Sequence, residues 1–133
     1  MDKTNIVKRW CDFASDDLIT AKYLLGLYPL KLEIICYHCQ QSAEKILKAF
    51  LIDKSIDPPR THDLKLLRRM CKEIDEDFND INDACVRLTA YGVQPRYPME
   101  VDLNEEDMRQ AIKDAEYIMS FISKRLDLLL DKT

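Results

Sequence analysis

Apolar residues recur at steps of three and four along almost the whole chain, and this period limits the fold more than any other feature. Ile6, Trp10, Ala14, Leu18, Ala21 and Leu25 form one such stripe. Cys36, Cys39, Ala43, Ile46, Leu47 and Phe50 form a second. Leu64, Leu67, Met70, Cys71 and Ile74 make a third, and Ile81, Ala84, Cys85 and Leu88 a fourth. Met108, Ile112, Ala115, Met119, Ile122, Leu126 and Leu129 carry the last. Side chains three and four residues apart share one face of an α-helix, so each stripe predicts a helix with one buried side.

The breaks fall where helices should end. Thr4 is expected to cap the first helix and Tyr28-Pro29 to end it. The second is expected over about 31–55, stopped by Asp57-Pro58-Pro59. A third should begin near Asp63, and a fourth should cover about 77–91. The irregular stretch "GVQPRYPMEVDL" separates these from a last helix capped by Asn104. Three acids, Glu105, Glu106 and Asp107, suit its positively polarised N-terminus. The expected fold class is all-α: an antiparallel bundle of four to five helices forming a single domain over 1–133. With only two glycines in 133 residues, a turn-rich β architecture and a glycine-rich phosphate loop are both disfavoured.

The net charge is −4, so a broad electrostatic footprint on nucleic acid is not expected, although a local basic patch is compatible with it. The N-terminal "MDKTNIVKRW" lacks the apolar core of a signal peptide, and no apolar run approaches the ~20 residues of a membrane span. The cytoplasm is the expected location, with the five cysteines as reduced thiols.

Residues 36–50, "CYHCQQSAEKILKAF", combine two cysteines with a histidine and two glutamines. Zinc takes four ligands, and no second Cys-x-x-Cys or His pair accompanies Cys36 and Cys39. A redox pair belongs at a strand-to-helix junction, and here no strand precedes. Both cysteines therefore read as small core residues, and no metal or cofactor is expected. The other stripe of this helix is Ile34, His38, Gln41, Lys45 and Ala49. Its mixed character suits a dimer interface or a groove. It suits equally a histidine hydrogen-bonded inside its own bundle. The charges of "EKILK" and "KLLRRMCKE" read as ordinary outer faces, and His62, just before a helix, as a capping or packing residue.

"CYHCQQSAEKILKAFL" resembles the signature helix of the HEPN family (higher eukaryotes and prokaryotes nucleotide-binding domain). Three further elements agree in order: Trp10, Ala14, Asp17, Leu18 and Ala21; "THDL" at 61–64; and "RYP" at 96–98. The resemblance implies the family's bundle of four long helices and a short one, often dimeric. It also implies a range of activities, among them ribonuclease toxins with an Arg-x(4–6)-His motif. Many members are paired with a nucleotidyltransferase antitoxin, and others are proposed to bind nucleotides or proteins. This chain has only His38 and His62, so no histidine follows Arg96 and the ribonuclease pair is not carried over. Cleavage of RNA without a metal usually uses such a base.

The resulting expectation is a non-catalytic module with no catalytic residues assigned. It forms a homodimer, pairs with a nucleotidyltransferase, and/or holds a nucleotide or RNA phosphate. Arg96, Tyr97 and Lys45 are its expected ligand-binding residues. A guanidinium can fork onto phosphate, a phenol ring can stack on a base, and Pro95 and Pro98 stiffen the loop. His38, Gln41 and Lys45 are expected in or beside an interface or groove. The alternative is a ribonuclease toxin or nucleotide-processing enzyme with a non-standard site around His38.

Overall fold

A computed structural model of the chain describes residues 2–92 and 102–127. It holds five α-helices: α1 Lys3–Tyr23, α2 Leu32–Asp53, α3 Leu64–Lys72, α4 Asn82–Thr89 and α5 Glu105–Ser123. Short 3-10 turns occupy Leu24–Gly26 and Glu76–Ile81. No strand occurs among the described residues, and the fold is the all-α bundle that the periodicity predicts.

α2 is the centre of the molecule and packs against α1, α3, α4 and α5. Its Ile35, Cys36, Cys39, Ala43, Leu47 and Phe50 are buried, as the stripe requires. So are Gln40, Gln41, Ser42, Glu44 and Lys48 on its other sides. A helix enclosed nearly all round would normally be apolar all round. Here the polar groups enter with partners, which offsets their desolvation.

α1 lies antiparallel on α2. Lys3 donates to the Asp53 carbonyl at 3.1 Å, and Ser42 Oγ donates to the Ala14 carbonyl at 2.8 Å. The buried alanines Ala14 and Ala21 let the two backbones approach closely. At the other side of the core Phe78 joins the bundle. Its ring centroid is 4.6 Å from that of Phe50, and it meets Phe121 edge-on at 5.1 Å.

Several boundaries differ from the sequence expectation. Asp2, rather than Thr4, caps α1, accepting from the Asn5 N–H at 2.9 Å. α1 stops at Tyr23 rather than Tyr28, and Leu25 is exposed. Gly26 weakens the helix and pre-proline Tyr28 is biased away from it, so the last turn tightens to 3-10 before the proline. Val7 takes the fully buried place, with Ile6 half-buried beside it. The expected fourth helix begins as a 3-10 turn, with α4 proper starting at Asn82. Ile74 is exposed because it falls past Glu73, the C-cap of α3. Asn104 does cap α5, in a reciprocal capping box with Asp107. That helix ends at Ser123, and Leu129 lies outside the described residues.

α2 ends in a motif usually made with glycine. Ser55 is left-handed, with φ 63°; its N–H donates to the Ile52 carbonyl and that of Ile56 to the Leu51 carbonyl. This is a Schellman arrangement, and it aims the connector 54–63 back along α2.

Candidate functional site: a polar seam along α2

The antiparallel packing of α1 on α2 brings Asp17 over the mixed stripe. Its two carboxylate oxygens hold different partners. Oδ1 lies 2.9 Å from His38 Nδ1, and Oδ2 accepts from Lys45 Nζ at 2.6 Å. His38 and Lys45 are seven residues apart, two helical turns on one face, so a single carboxylate bridges them. The side chains are 26%, 26% and 12% exposed for His38, Lys45 and Asp17. A carboxylate only accepts, so it selects the imidazole form with a proton on Nδ1 and leaves Nε2 for any further partner. The Tyr37 ring meets the imidazole nearly edge-on at 5.7 Å.

Gln41, the third residue of the stripe, is buried and turns toward a second network. Its Nε2 donates to Gln40 Oε1 at 2.7 Å. Gln40 Nε2 in turn donates to the His62 carbonyl at 2.9 Å and to Glu44 Oε1 at 3.3 Å. Glu44 also holds His62 Nδ1 at 2.8 Å and Lys48 Nζ at 2.9 Å. The Lys48 ammonium stands 5.8 Å from the Trp10 ring centroid. The end of α4 rests on the same glutamine: a Cβ at Gly92 would meet Gln40 Nε2 at 3.1 Å. The connector 54–63 and Gly92, just past α4, thus meet α2 at Gln40 and Glu44, while α1 reaches this network through Trp10 at Lys48.

A third polar cluster joins α4 to α5. Arg87 forks onto Asp114 through Nε and Nη2, both at 2.8 Å, and Gln110 adds a bond at 2.9 Å. A cavity of about 160 Å³ opens beside it, lined by Arg87, Tyr91, Asp107, Gln110, Ala111 and Asp114. Burial pushes the Tyr91 phenol up to about 12.

The structure therefore brings His38 and Lys45 together through Asp17 and carries Gln41 away to Gln40. Arg96 and Tyr97, with Pro95 and Pro98, lie outside the described residues. Reading the sequence singles out His38 and Lys45 but not their bridge; Asp17 stands out only as part of the family pattern. A signal was there: Asp17 sits between Ala14 and Ala21 on the edge of the α1 core stripe, where an acid needs a partner. Gln40 and Glu44 carried no such mark.

Cys36, Cys39, Cys71 and Cys85 are buried core residues, and all five thiols, with half-buried Cys11, are free. Burial raises the Cys11 thiol to about 11 and those of Cys36 and Cys85 to about 12, so they are poor nucleophiles at neutral pH. Among the described residues no three His, Cys, Asp or Glu side chains are grouped to hold a metal ion. No helix there is long and apolar enough to cross a membrane.

The HEPN domain model matches residues 7–126, and the chain belongs to this family. TT1696 from Thermus thermophilus has a similar crystal structure, with a TM-score of 0.75 and 23% identity over 90% of this chain and 98% of that one. A second, ST0689, described as an archaeal HEPN homologue, has a TM-score of 0.69 and 25% identity over 91% and 98%. No curated protein matches this chain.

Proposed function

We propose that this chain is a non-catalytic HEPN-type binding module, a single helical domain acting as a homodimer in the cytoplasm. It pairs with a nucleotidyltransferase and/or holds a nucleotide or RNA phosphate through Arg96, Tyr97 and Lys45. Family membership supports the coarser part, a nucleotide-binding or ribonuclease-like module. The observation that carries the non-catalytic reading concerns the histidines. The chain has two, His38 and His62. Neither follows Arg96 as an acid-base companion. Calorimetric titration with nucleotides and short RNA tests the ligand: binding is expected for wild type and weakened in Arg96→Ala. Equal affinity in the two proteins would remove the loop from the site.

The dimer reading draws on the surroundings of the Asp17 seam. Phe13 and Ile34 are exposed, one turn before Asp17 and His38 on their helices. Because the helices are antiparallel, they flank the seam at opposite ends. An interface through α1 and α2 would cover them with His38 and Lys45 at its edge. Light scattering at tens of micromolar should report twice the chain mass, and a monomer would sink this part.

A second reading is favoured by one contact. Asp17 fixes the His38 ring and frees Nε2, the arrangement used to orient a general base, with the Lys45 cation nearby for an anionic group. On that reading the protein is a ribonuclease or nucleotide-processing enzyme. RNA cleavage that disappears in His38→Ala would replace the binding-module reading with this one.

A further inference from the structure

Residues 58–72 carry five basic side chains, Arg60, Lys65, Arg68, Arg69 and Lys72, against a single acid, Asp63, in a chain of net charge −4. α3 sorts them sharply. Leu64, Leu67 and Cys71 face the core, while Lys65, Arg69 and Lys72 are exposed. Their spacing of four and three residues puts them in one row, ~6 and ~4.5 Å apart along the axis. Arg60 is exposed just before the helix.

Lys45, Lys48, Lys54, Arg87 and Arg125 all have carboxylate partners. Arg60, Lys65, Arg69 and Lys72 have none among the described residues. Lys8, Lys31, Lys113 and Lys124 also have no carboxylate partner among the described residues, but they are spread over α1, the start of α2 and α5, while the α3 cations stand in one row. Asp63 does not supply one, since its side chain caps α3 by accepting from the Lys65 backbone N–H at 2.9 Å. Beneath the row, Arg68 is only 7% exposed, and its Nε and Nη1 find no acceptor among the described residues. Its charge is held in a medium that screens poorly, which adds to the positive potential of the row above. The strip ends abruptly: residues 73–83 carry six acids, Glu73, Asp75, Glu76, Asp77, Asp80 and Asp83, and no base.

We propose that the outer face of α3, with Arg60 before it, docks the phosphodiester backbone of a nucleic acid. The charge defines an anionic occupant, and the absence of apolar anchors chooses among anions. No large hydrophobic side chain is exposed between Arg60 and Lys72. A protein interface needs a desolvated apolar centre, whereas backbone binding draws its affinity from phosphate neutralisation and counterion release. No Phe, Tyr or Trp lies in 58–72, and the one imidazole there, His62, is tied to Glu44 through Nδ1, so the strip tracks the backbone without reading sequence. The acidic stretch after Lys72 repels the strand and sets where it leaves the protein. The strip uses none of residues 93–101, and it and Arg96 are each read by their own measurement.

The test measures affinity for a labelled oligouridylate as a function of salt. One variant is the triple Lys65→Gln, Arg69→Gln, Lys72→Gln. The control is another exposed triple, Lys8→Gln, Lys113→Gln, Lys124→Gln, with the same charge change. Each phosphate contact contributes ~0.7 to the slope of log K against log salt for a single strand, so the α3 triple should flatten the slope by about 2 and weaken low-salt binding at least ~10-fold. The control should keep the wild-type slope. Equal losses in both triples, or an unchanged slope in the α3 triple, overturns the proposal. Wild type without salt-dependent binding overturns it too. Polyglutamate bound as tightly as RNA and with the same sensitivity to the α3 triple also overturns it, in favour of an acidic polypeptide. All substituted positions are exposed, and melting curves matching wild type confirm that the fold is intact. Nucleotide titration of Arg96→Ala reads the loop independently, so failure there leaves the slope measurement standing.

Discussion

His38 and His62 make nearly the same contact and live in different surroundings. Each presents Nδ1 to a carboxylate, at 2.9 Å to Asp17 and 2.8 Å to Glu44. The His38 ring is set in the helix seam at 26% exposure, while the His62 side chain is 70% exposed at the end of a connector. The acids differ in the opposite sense: Asp17 is partly solvated, and Glu44 is buried with Lys48 and Gln40 upon it. At Asp17 the acid serves the histidine, fixing a ring whose free nitrogen is available. At Glu44 the histidine serves the acid and ties the connector to α2. The acid is the more buried member in both pairs, so the pair takes its meaning from how far the ring itself is enclosed.

The largest test of this contrast is Glu44→Gln. It leaves the buried Lys48 ammonium without its counter-charge, and loss of one partner of such a pair costs about 3 kcal/mol or more. Thermal unfolding should show a large fall in Tm. A small fall would mean that Glu44 and Lys48 are solvated and would dissolve the contrast.

Asp17→Asn should cost less, about 1–2 kcal/mol, because its partners are a quarter exposed and can turn to water. Lys45 and His38 should both loosen, which chemical shifts of the His38 ring protons would report. A loss as great as that of Glu44→Gln would equate the two carboxylates.

His62→Ala is smaller again, under about 1 kcal/mol, because Glu44 keeps Lys48 and Gln40 and the ring is mostly in water. Its effect should be local: faster limited proteolysis within 54–63, with the Tm nearly unchanged. His38→Ala should leave that connector resistant. Equal cleavage in the two variants would refute the anchoring role.

Ser55→Gly probes the other end of the connector and should have the smallest effect, in the opposite direction. A side chain in the left-handed region is strained by about 1 kcal/mol, and glycine relieves it at the price of a looser unfolded chain, for a net gain of a few tenths. Lys3 Nζ lies 3.5 Å from Ser55 Oγ, a long exposed contact whose loss should not reverse the sign. Denaturant midpoints resolve a change of this size.

Much of the architecture was written locally. The five stripes predict the helices, and Asn104 with the acids after it marks the start of α5 where it is found. These signals are legible because a helix face and a cap are settled within a few residues of chain. The errors lie where local preferences compete, as at Tyr23–Pro29, where the chain leaves α1 by a 3-10 turn well before the proline.

The charged residues are another matter. Lys45 and Lys48 look no different in sequence from Lys65 and Arg69: basic residues at helical spacing between apolar ones. Only the packing separates them. The first two meet Asp17, 28 residues away, and Glu44 in a seam closed by α1, while the second two face outward with no acid beside them among the described residues. The sequence by itself determined which segments are helical and which face of each is apolar, because backbone sterics and side-chain period act over one or two turns. The tertiary structure decided which charges are matched, because that depends on how far one helix slides and turns against another. A shift of one residue rotates a side chain by ~100° about its helix.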